Sequence, residues 1–353
     1  MIKALRWPHL LAAAVTLLLL APAVPAVAAG PAPNSLVVHT DQGAVKGKRG
    51  NGVDNFLGIP YAAPPVGNLR WEPPQAHQPW SGVRAARTYG NRCAALASTN
   101  GPRTDAEDCL YLNVTRATGV SAGRKLPVYV FIHGGGLVNG SSNQASGGKI
   151  ARLTNAIVVS MNYRLGVFGF LGLPGMSAAG TGNFGFLDQQ FALQWVQRNI
   201  AAFGGDPARV TVGGESAGAF SVCAHLTAPG SRGLFARAMM QSGSCLSRPL
   251  AATQTASAAF ATAAGCPTPA TSLDCLRAKS AADLLDAGTR FSPTLTSGTP
   301  TLPRPTAAAV ADGDFAQVPI LTGSNRDEGR TFAAGFIGST RAQYETWVRS
   351  TFP

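Results

Sequence analysis

The segment from Arg209 to Ala219 reads RVTVGGESAGA. A short run suited to a strand meets Gly213 and Gly214, then Ser216, then Ala217, Gly218 and an apolar stretch suited to a helix. A strand that turns tightly into a helix leaves no room for large side chains where the two elements touch. The small residues on both sides of Ser216 supply that room. A serine hydroxyl is a weak nucleophile until a neighbouring base takes its proton. The pattern therefore raises three needs: a base, an acid to orient it, and donors for the anion formed on attack.

The donors have a candidate. LPVYVFIH, Leu126 to His133, is a buried-strand run, and it ends in HGGG, His133 to Gly136. Consecutive glycines let backbone N–H groups face a ligand without side-chain obstruction, as in the oxyanion loop of lipases and esterases. The N–H after the nucleophile, that of Ala217, completes the set. Removing one such donor typically costs ~3–4 kcal/mol. The acid has two candidates. GSNRDEG, Gly323 to Gly329, follows another apolar run and carries both Asp327 and Glu328. In hydrolases with the chain order serine, acid, histidine, the acid belongs at the end of a later strand. Spacing does not separate the two residues.

AIVVSMNY (156–163) is a further strand run, and FLDQQFALQWVQRNIAAF (186–203) places Leu187, Phe191, Trp195, Val196 and Ile200 at helical spacing. AMMQSG and VPILTGSN add two more strands, while SLVVHTDQGAVKGKRG near the start reads as two short strands around a polar turn. Strands alternating with helices predict an α/β fold with a mostly parallel sheet covered on both faces. FLGIPYAAPPVGNLRWEPPQ (56–75) is dense in Pro and Gly and is expected to be a surface loop. The Ala, Thr and Pro-rich stretch from Ala251 to about Ala311 reads as a linker or, through LRAKSAADLLDA, as a helical excursion.

The first residues, MIKALRWPHLLAAAVTLLLLAPAVPAVAAG, have Lys3 and Arg6, an apolar run and then small residues, the layout of a secretory signal. The run falls short of the ~20 residues a spanning helix needs. The expected organisation is a signal peptide over 1–28, one domain over 29–353, secretion, and no stable membrane anchor. Six cysteines suit an oxidising compartment, although six allow 15 connectivities. Cys93 with Cys109, and Cys266 with Cys275, each enclose a short loop. No pair has zinc spacing, so no metal and no cofactor is expected. The net charge of +12 arises from scattered arginines and only 17 acids, without a basic run, so nucleic acid is not an expected partner.

These segments together resemble the type-B carboxylesterase/lipase family, the cholinesterase-like branch of the α/β-hydrolase fold. FGGDPARVTVGGESAG (203–218) is similar to the family's serine signature, and EDCLYLNV (107–114) to its second signature. FLGIPYAAPPVG, MNYRLGVFGFL and GNFGFLDQQFALQWVQRNIAAFGGDP are also family-like, so the resemblance runs from about Ser35 to Phe332. It implies a central sheet with helices on both faces and a small-molecule ester as substrate. It makes Ser216 the nucleophile, Glu328 rather than Asp327 the acid, and Gly135, Gly136 and Ala217 the oxyanion donors. It also implies bridges Cys93–Cys109 and Cys266–Cys275; Cys223 and Cys245 remain as a third candidate pair.

One member of the triad has no candidate. The five histidines are His9, His39, His77, His133 and His225, and none follows Glu328. His225 comes nine residues after Ser216, which on a helix is ~13 Å along the axis. Family members are longer, so the chain is expected to lack the C-terminal strand and helices together with the histidine. The leading expectation is a secreted serine carboxylic-ester hydrolase whose chain is impaired by that loss. The alternative is a non-catalytic cholinesterase-like binding or adhesion protein, which would be expected to have lost the serine or the glycines. Cholinesterase activity itself is discounted, because AALASTNGPRTDAED, between Cys93 and Cys109, holds no aromatic face for a quaternary ammonium.

Overall fold

The computed structural model describes residues 36–144, 147–330 and 336–351. The expected signal peptide over 1–28, and with it His9, lies outside the described residues. In chain order the strands and helices are β1 (Val37–His39), β2 (Ala44–Lys46), β3 (Lys48–Gly50), β4 (Val53–Pro60), β5 (Val83–Ala85), β6 (Tyr111–Ala117), β7 (Leu126–Ile132) and α1 (Gly147–Thr154). Next come β8 (Ile157–Met161), α2 (Gly166–Phe170), α3 (Phe184–Asn199), β9 (Gly205–Glu215), α4 (Ala217–Thr227) and β10 (Arg237–Gln241). The last part holds β11 (Arg248–Pro249), α5 (Leu250–Ala263), α6 (Ser272–Arg277), α7 (Ala281–Ala287), β12 (Thr296–Ser297), α8 (Thr306–Ala311), β13 (Ile320–Gly323) and α9 (Arg341–Thr351).

Eight strands form the main sheet in the order β13-β10-β9-β7-β8-β6-β4-β3. The pairs from β13 through β8 are parallel, and β6, β4 and β3 continue the sheet antiparallel. One face buries Val128, Val130 and Ile132 of β7 with Val210 and Val212 of β9, packed with α3 and α4. These strands are continuous apolar runs because the parallel centre of such a sheet is dry. On the other face, α1 covers β6 and β8, while Tyr129, Phe131 and Met239 are half-buried. β13 forms an edge of the described sheet, and its Leu321 is 63% exposed.

The Pro- and Gly-rich stretch 56–75 is only in part a surface loop, as around the exposed Val66 to Asn68. Its first part belongs to β4, an eight-residue strand in which Phe56, Leu57 and Ile59 are buried. Antiparallel pairing with β6 sets Asp54 opposite Arg116, and the two form a buried ion pair at 3.5 Å. The glycine that argued against a strand, Gly58, has φ +69 at the point where the register shifts, a bulge position that tolerates it. Beyond the strand, Tyr61 and Trp71 are also fully buried, and the Trp71 indole donates to the Val167 carbonyl at 2.8 Å.

The stretch after Ala251 is folded rather than a linker. α5 to α7 bury Phe260, Leu276 and Leu284 against α2 and Trp71 in a second apolar cluster. LRAKSAADLLDA is split between α6 and α7, because Ser280 caps α7 by accepting the Asp283 N–H at 3.1 Å. Near the N-terminus the two expected strands are β1 and β2, and a third, β3, joins the main sheet. Among the described residues no helix is long and apolar enough to cross a membrane.

His225 of α4 is a core residue. Its two ring nitrogens meet Ser231 Oγ at 2.8 Å and Gln189 Oε1 at 3.1 Å, and its ring lies against Phe186. Burial lowers its pKa to about 3, and likewise lowers that of His133 to about 4. Both are neutral when folded, and both bind a proton in the unfolded chain below the ordinary value of 6.5. The unfolded state then holds more protons, so stability falls as pH drops from 6.5 towards these folded values. Between pH 7 and pH 5 each histidine should remove about 2 kcal/mol. Urea unfolding should show the midpoint falling over that interval, and His225→Gln should flatten the fall by roughly half. A midpoint independent of pH in the unsubstituted protein would contradict this account.

Candidate active site

β9 ends at Glu215, Ser216 occupies the turn, and α4 begins at Ala217. Ser216 has φ 53 and ψ −121, a strained setting for a residue with a side chain. Its N–H donates to the Gln241 carbonyl at 2.9 Å, which ties the turn to β10. The geometry depends on absent side chains. A Cβ on Gly214 would lie 2.4 Å from the Gly218 carbonyl group, and one on Gly218 would lie 2.1 Å from the Ile132 carbonyl oxygen. A Cβ on Gly134 would sit 2.7 Å from Glu215 Oε2 and 3.1 Å from Ser216 Cβ. The HGGG loop therefore lies directly against the serine turn. Ser216 itself is half-buried.

The glycines of that loop are held through their carbonyls. A peptide unit is planar, so fixing a carbonyl also fixes the N–H of the next residue, pointing the opposite way. The Gly134 carbonyl accepts from His133 Nδ1 at 2.9 Å, which sets the peptide carrying the Gly135 N–H. The Gly135 carbonyl accepts from the N–H groups of Val138 and Asn139, both at 3.1 Å, which sets the Gly136 N–H. Gly135 and Gly136 have φ +103 and +64, a region that glycine enters without penalty. His133 is buried, its ring stacks on Tyr163 with centroids 4.4 Å apart, and its carbonyl accepts the Tyr163 hydroxyl at 2.8 Å. Donation to a carbonyl places the ring proton on Nδ1. The first N–H groups of α4, that of Ala217 included, have no acceptor within the helix.

Glu328 lies beyond the end of β13, on the same edge of the sheet as Ser216. Strand register sets Glu215, Gln241 and Gly323 in one row, so the serine turn and the residues after β10 and β13 emerge together. The exposed Glu328 carboxylate is held below the usual range by the hydroxyl of Ser242 and by Asn325, whose N–H donates to it at 3.1 Å. Burial, and then the charge of Glu328, raise the pKa of Glu215. Asp327 instead faces Arg326 at 3.1 Å. Sequence reasoning missed Ser242 and Tyr163. Ser242 has φ 53 like Ser216 and donates its N–H to the Gly323 carbonyl at 2.8 Å. Its signal was a polar residue directly after an apolar strand.

The described histidines do not join this group. His39 is exposed on β1, His77 packs edge-on to Trp80, and His133 and His225 are engaged as described above. Disulfides join Cys93 to Cys109, Cys223 to Cys245 and Cys266 to Cys275. The second ties α4 to the segment following Ser242. Among the described residues no group of three or more His, Cys, Asp or Glu is arranged to hold a metal ion.

A strained serine between a parallel strand and a helix, with a glycine loop against it, defines the α/β-hydrolase class. The chain belongs to the carboxylesterase family, whose profile matches residues 34–350. It is 42% identical over 317 residues to the para-nitrobenzyl esterase of Bacillus subtilis (strain 168), covering 84% of this chain and 63% of that one. It is 39% identical to the fumonisin B1 esterase of Sphingopyxis macrogoltabida, covering 97% of this chain and 65% of that one. The crystal structure of a Geobacillus stearothermophilus carboxylesterase superposes with TM-score 0.81 at 36% identity, covering 90% of this chain and 68% of that one. The chain thus spans a little under two thirds of the length of these curated relatives.

Gly218→Ala should press a methyl against the Ile132 carbonyl, and neither strand nor helix can retreat. The expected loss is about 1–3 kcal/mol, read as a lower thermal midpoint. An unchanged midpoint would mean that the elbow is looser than its contacts indicate.

Proposed function

We propose that this protein is a secreted serine carboxylic-ester hydrolase acting through an acyl-enzyme on Ser216. The observation that carries the reading is the strained Ser216 turn lying directly against the Gly134–Gly136 loop. In this reading Ser216 Oγ bonds to the ester carbonyl carbon, and the carbonyl oxygen becomes an anion facing the N–H groups of Gly135, Gly136 and Ala217. Collapse of that intermediate expels the alcohol, and water then releases the acid from the serine. The anion is stabilised by donors that are already oriented, which is where such sites gain most of their rate. Glu328 is the acid that would orient an imidazole, supported by the Ser242 and Asn325 contacts that keep it ionised.

The proton on Ser216 needs an acceptor, and none of the four described histidines is placed to serve. The 353-residue chain alone is therefore expected to turn over esters orders of magnitude more slowly than a chain with a full triad. Secretion through a signal at 1–28 is part of the proposal, supported by three disulfides, which persist in oxidising compartments.

A fluorophosphonate should label Ser216, and Ser216→Ala should abolish the label while leaving the fold intact. Labelling that survives the substitution would reassign the nucleophile. If neither this chain nor the chimera below is labelled, the adhesion-type alternative is favoured. A chimera appending the last third of the Bacillus subtilis para-nitrobenzyl esterase should hydrolyse p-nitrophenyl esters far faster than the 353-residue chain. In that chimera Glu328→Gln should cut turnover much more than Asp327→Asn, and the reverse ranking would make Asp327 the acid.

A further inference from the structure

The loop closed by Cys93–Cys109 has no part in the reaction as derived so far. It folds as a hairpin. Ala95 and Thr104 exchange backbone hydrogen bonds of 2.9 and 3.0 Å, and Ser98 and Gly101 do the same at 2.9 and 3.0 Å. Asn100 is half-buried at the tip and donates its N–H to Ser98 Oγ at 3.1 Å. Arg92 lies along the tip, donating to the Pro102 carbonyl at 3.0 Å, and a Cβ on Gly101 would come within 2.1 Å of its Nη1. The disulfide at the base and the arginine along the flank hold the tip in one place.

From that tip Asn100 Nδ2 donates to Asn139 Oδ1 at 2.5 Å. Asn139 is the residue that closes the oxyanion loop. Its N–H donates to the Gly135 carbonyl at 3.1 Å. Its carbonyl and side-chain oxygens lie so close to Gly135 that a Cβ there would meet them at 2.3 and 2.5 Å. The Gly135 carbonyl and the Gly136 N–H belong to one planar peptide. A glycine at φ +103 resists rotation weakly by itself, so this peptide depends on its neighbours for direction.

We propose that Asn100 is a positioning residue for the oxyanion hole: through Asn139 it fixes the direction of the Gly136 N–H. The inference rests on the esterase reading for its catalytic meaning, and on geometry alone for the coupling. It makes the first disulfide hairpin part of the catalytic apparatus, although no residue of the hairpin touches the reacting atoms.

The test uses the full chain with Asn100→Ala and Asn100→Asp. An aspartate restores the contact, because it can accept from the Asn139 amide once that amide turns over. Two quantities are read: amide hydrogen exchange of the segment 133–140, and the rate of Ser216 phosphonylation by a fluorophosphonate. In the second, Ser216 Oγ bonds to phosphorus, fluoride leaves, the serine proton passes to solvent, and the phosphoryl oxygen occupies the oxyanion position. Asn100→Ala should speed exchange at Gly136. It should also lower the maximal phosphonylation rate by about ten- to a hundredfold with the half-saturating reagent concentration unchanged, the scale of a small misplacement at a reacting centre. Asn100→Asp should recover most of both. Equal phosphonylation in the alanine variant and the unsubstituted chain overturns the proposal, and so does unchanged exchange at Gly136. If the unsubstituted chain takes no label, which the lack of a base allows, phosphonylation is read in the chimera described above; no label there makes the esterase reading fail, and the exchange measurement alone then upholds or overturns the coupling.

Discussion

The contact of Gly214 with Gly218, and of Gly218 with the Ile132 carbonyl, sets the arrangement of this molecule. Because neither glycine has a Cβ, α4 can start almost on top of β9 and β7. That close approach forces the chain through a turn too tight for relaxed backbone, and Ser216 takes the strain at φ 53. A relaxed turn would lower the serine towards the sheet and separate it from the HGGG loop. The strain persists because the sheet on one side and α4 on the other are packed too densely to yield.

The HGGG loop shows the same economy in polar terms. Its glycines contribute no side chains, so each N–H is aimed by tying down the carbonyl of the same peptide. His133 does this for one peptide, and the N–H groups of Val138 and Asn139 do it for the next. His133 acts this way with its proton on Nδ1, and burial keeps the ring neutral although the Gly134 bond favours the charged form. The histidine of HGGG is thus a structural donor. His225, the other buried ring, spans α4, α3 and the turn at Ser231, and its bonded nitrogens explain why it stays away from Ser216.

Charge is arranged around the site by strand register. Parallel pairing delivers Glu215, Gln241 and Gly323 to one level, so the residues just beyond them meet without any long reach. The charge of Glu328 reaches Glu215 and, after burial, raises its pKa. Ser242 and Asn325 favour the charged form of Glu328, whereas burial disfavours that of Glu215.

Strand runs, helical spacing and the glycine pattern by themselves determined the parallel sheet, the serine elbow and the HGGG loop. These are local consequences of side-chain size and backbone freedom. The same reasoning misread the start of 56–75, because proline and glycine content cannot reveal that β6 pairs with β4, or that Arg116 awaits Asp54 across the strands. Spacing left Glu328 and Asp327 equal and the family resemblance favoured Glu328; the tertiary structure adds what faces each of them, Ser242 and Asn325 for one and Arg326 for the other. Ser242 and Asn100 were illegible for the same reason. Each acts through a partner dozens of residues away, and such a partnership exists only after sheet register and the disulfide hairpin have brought the two together.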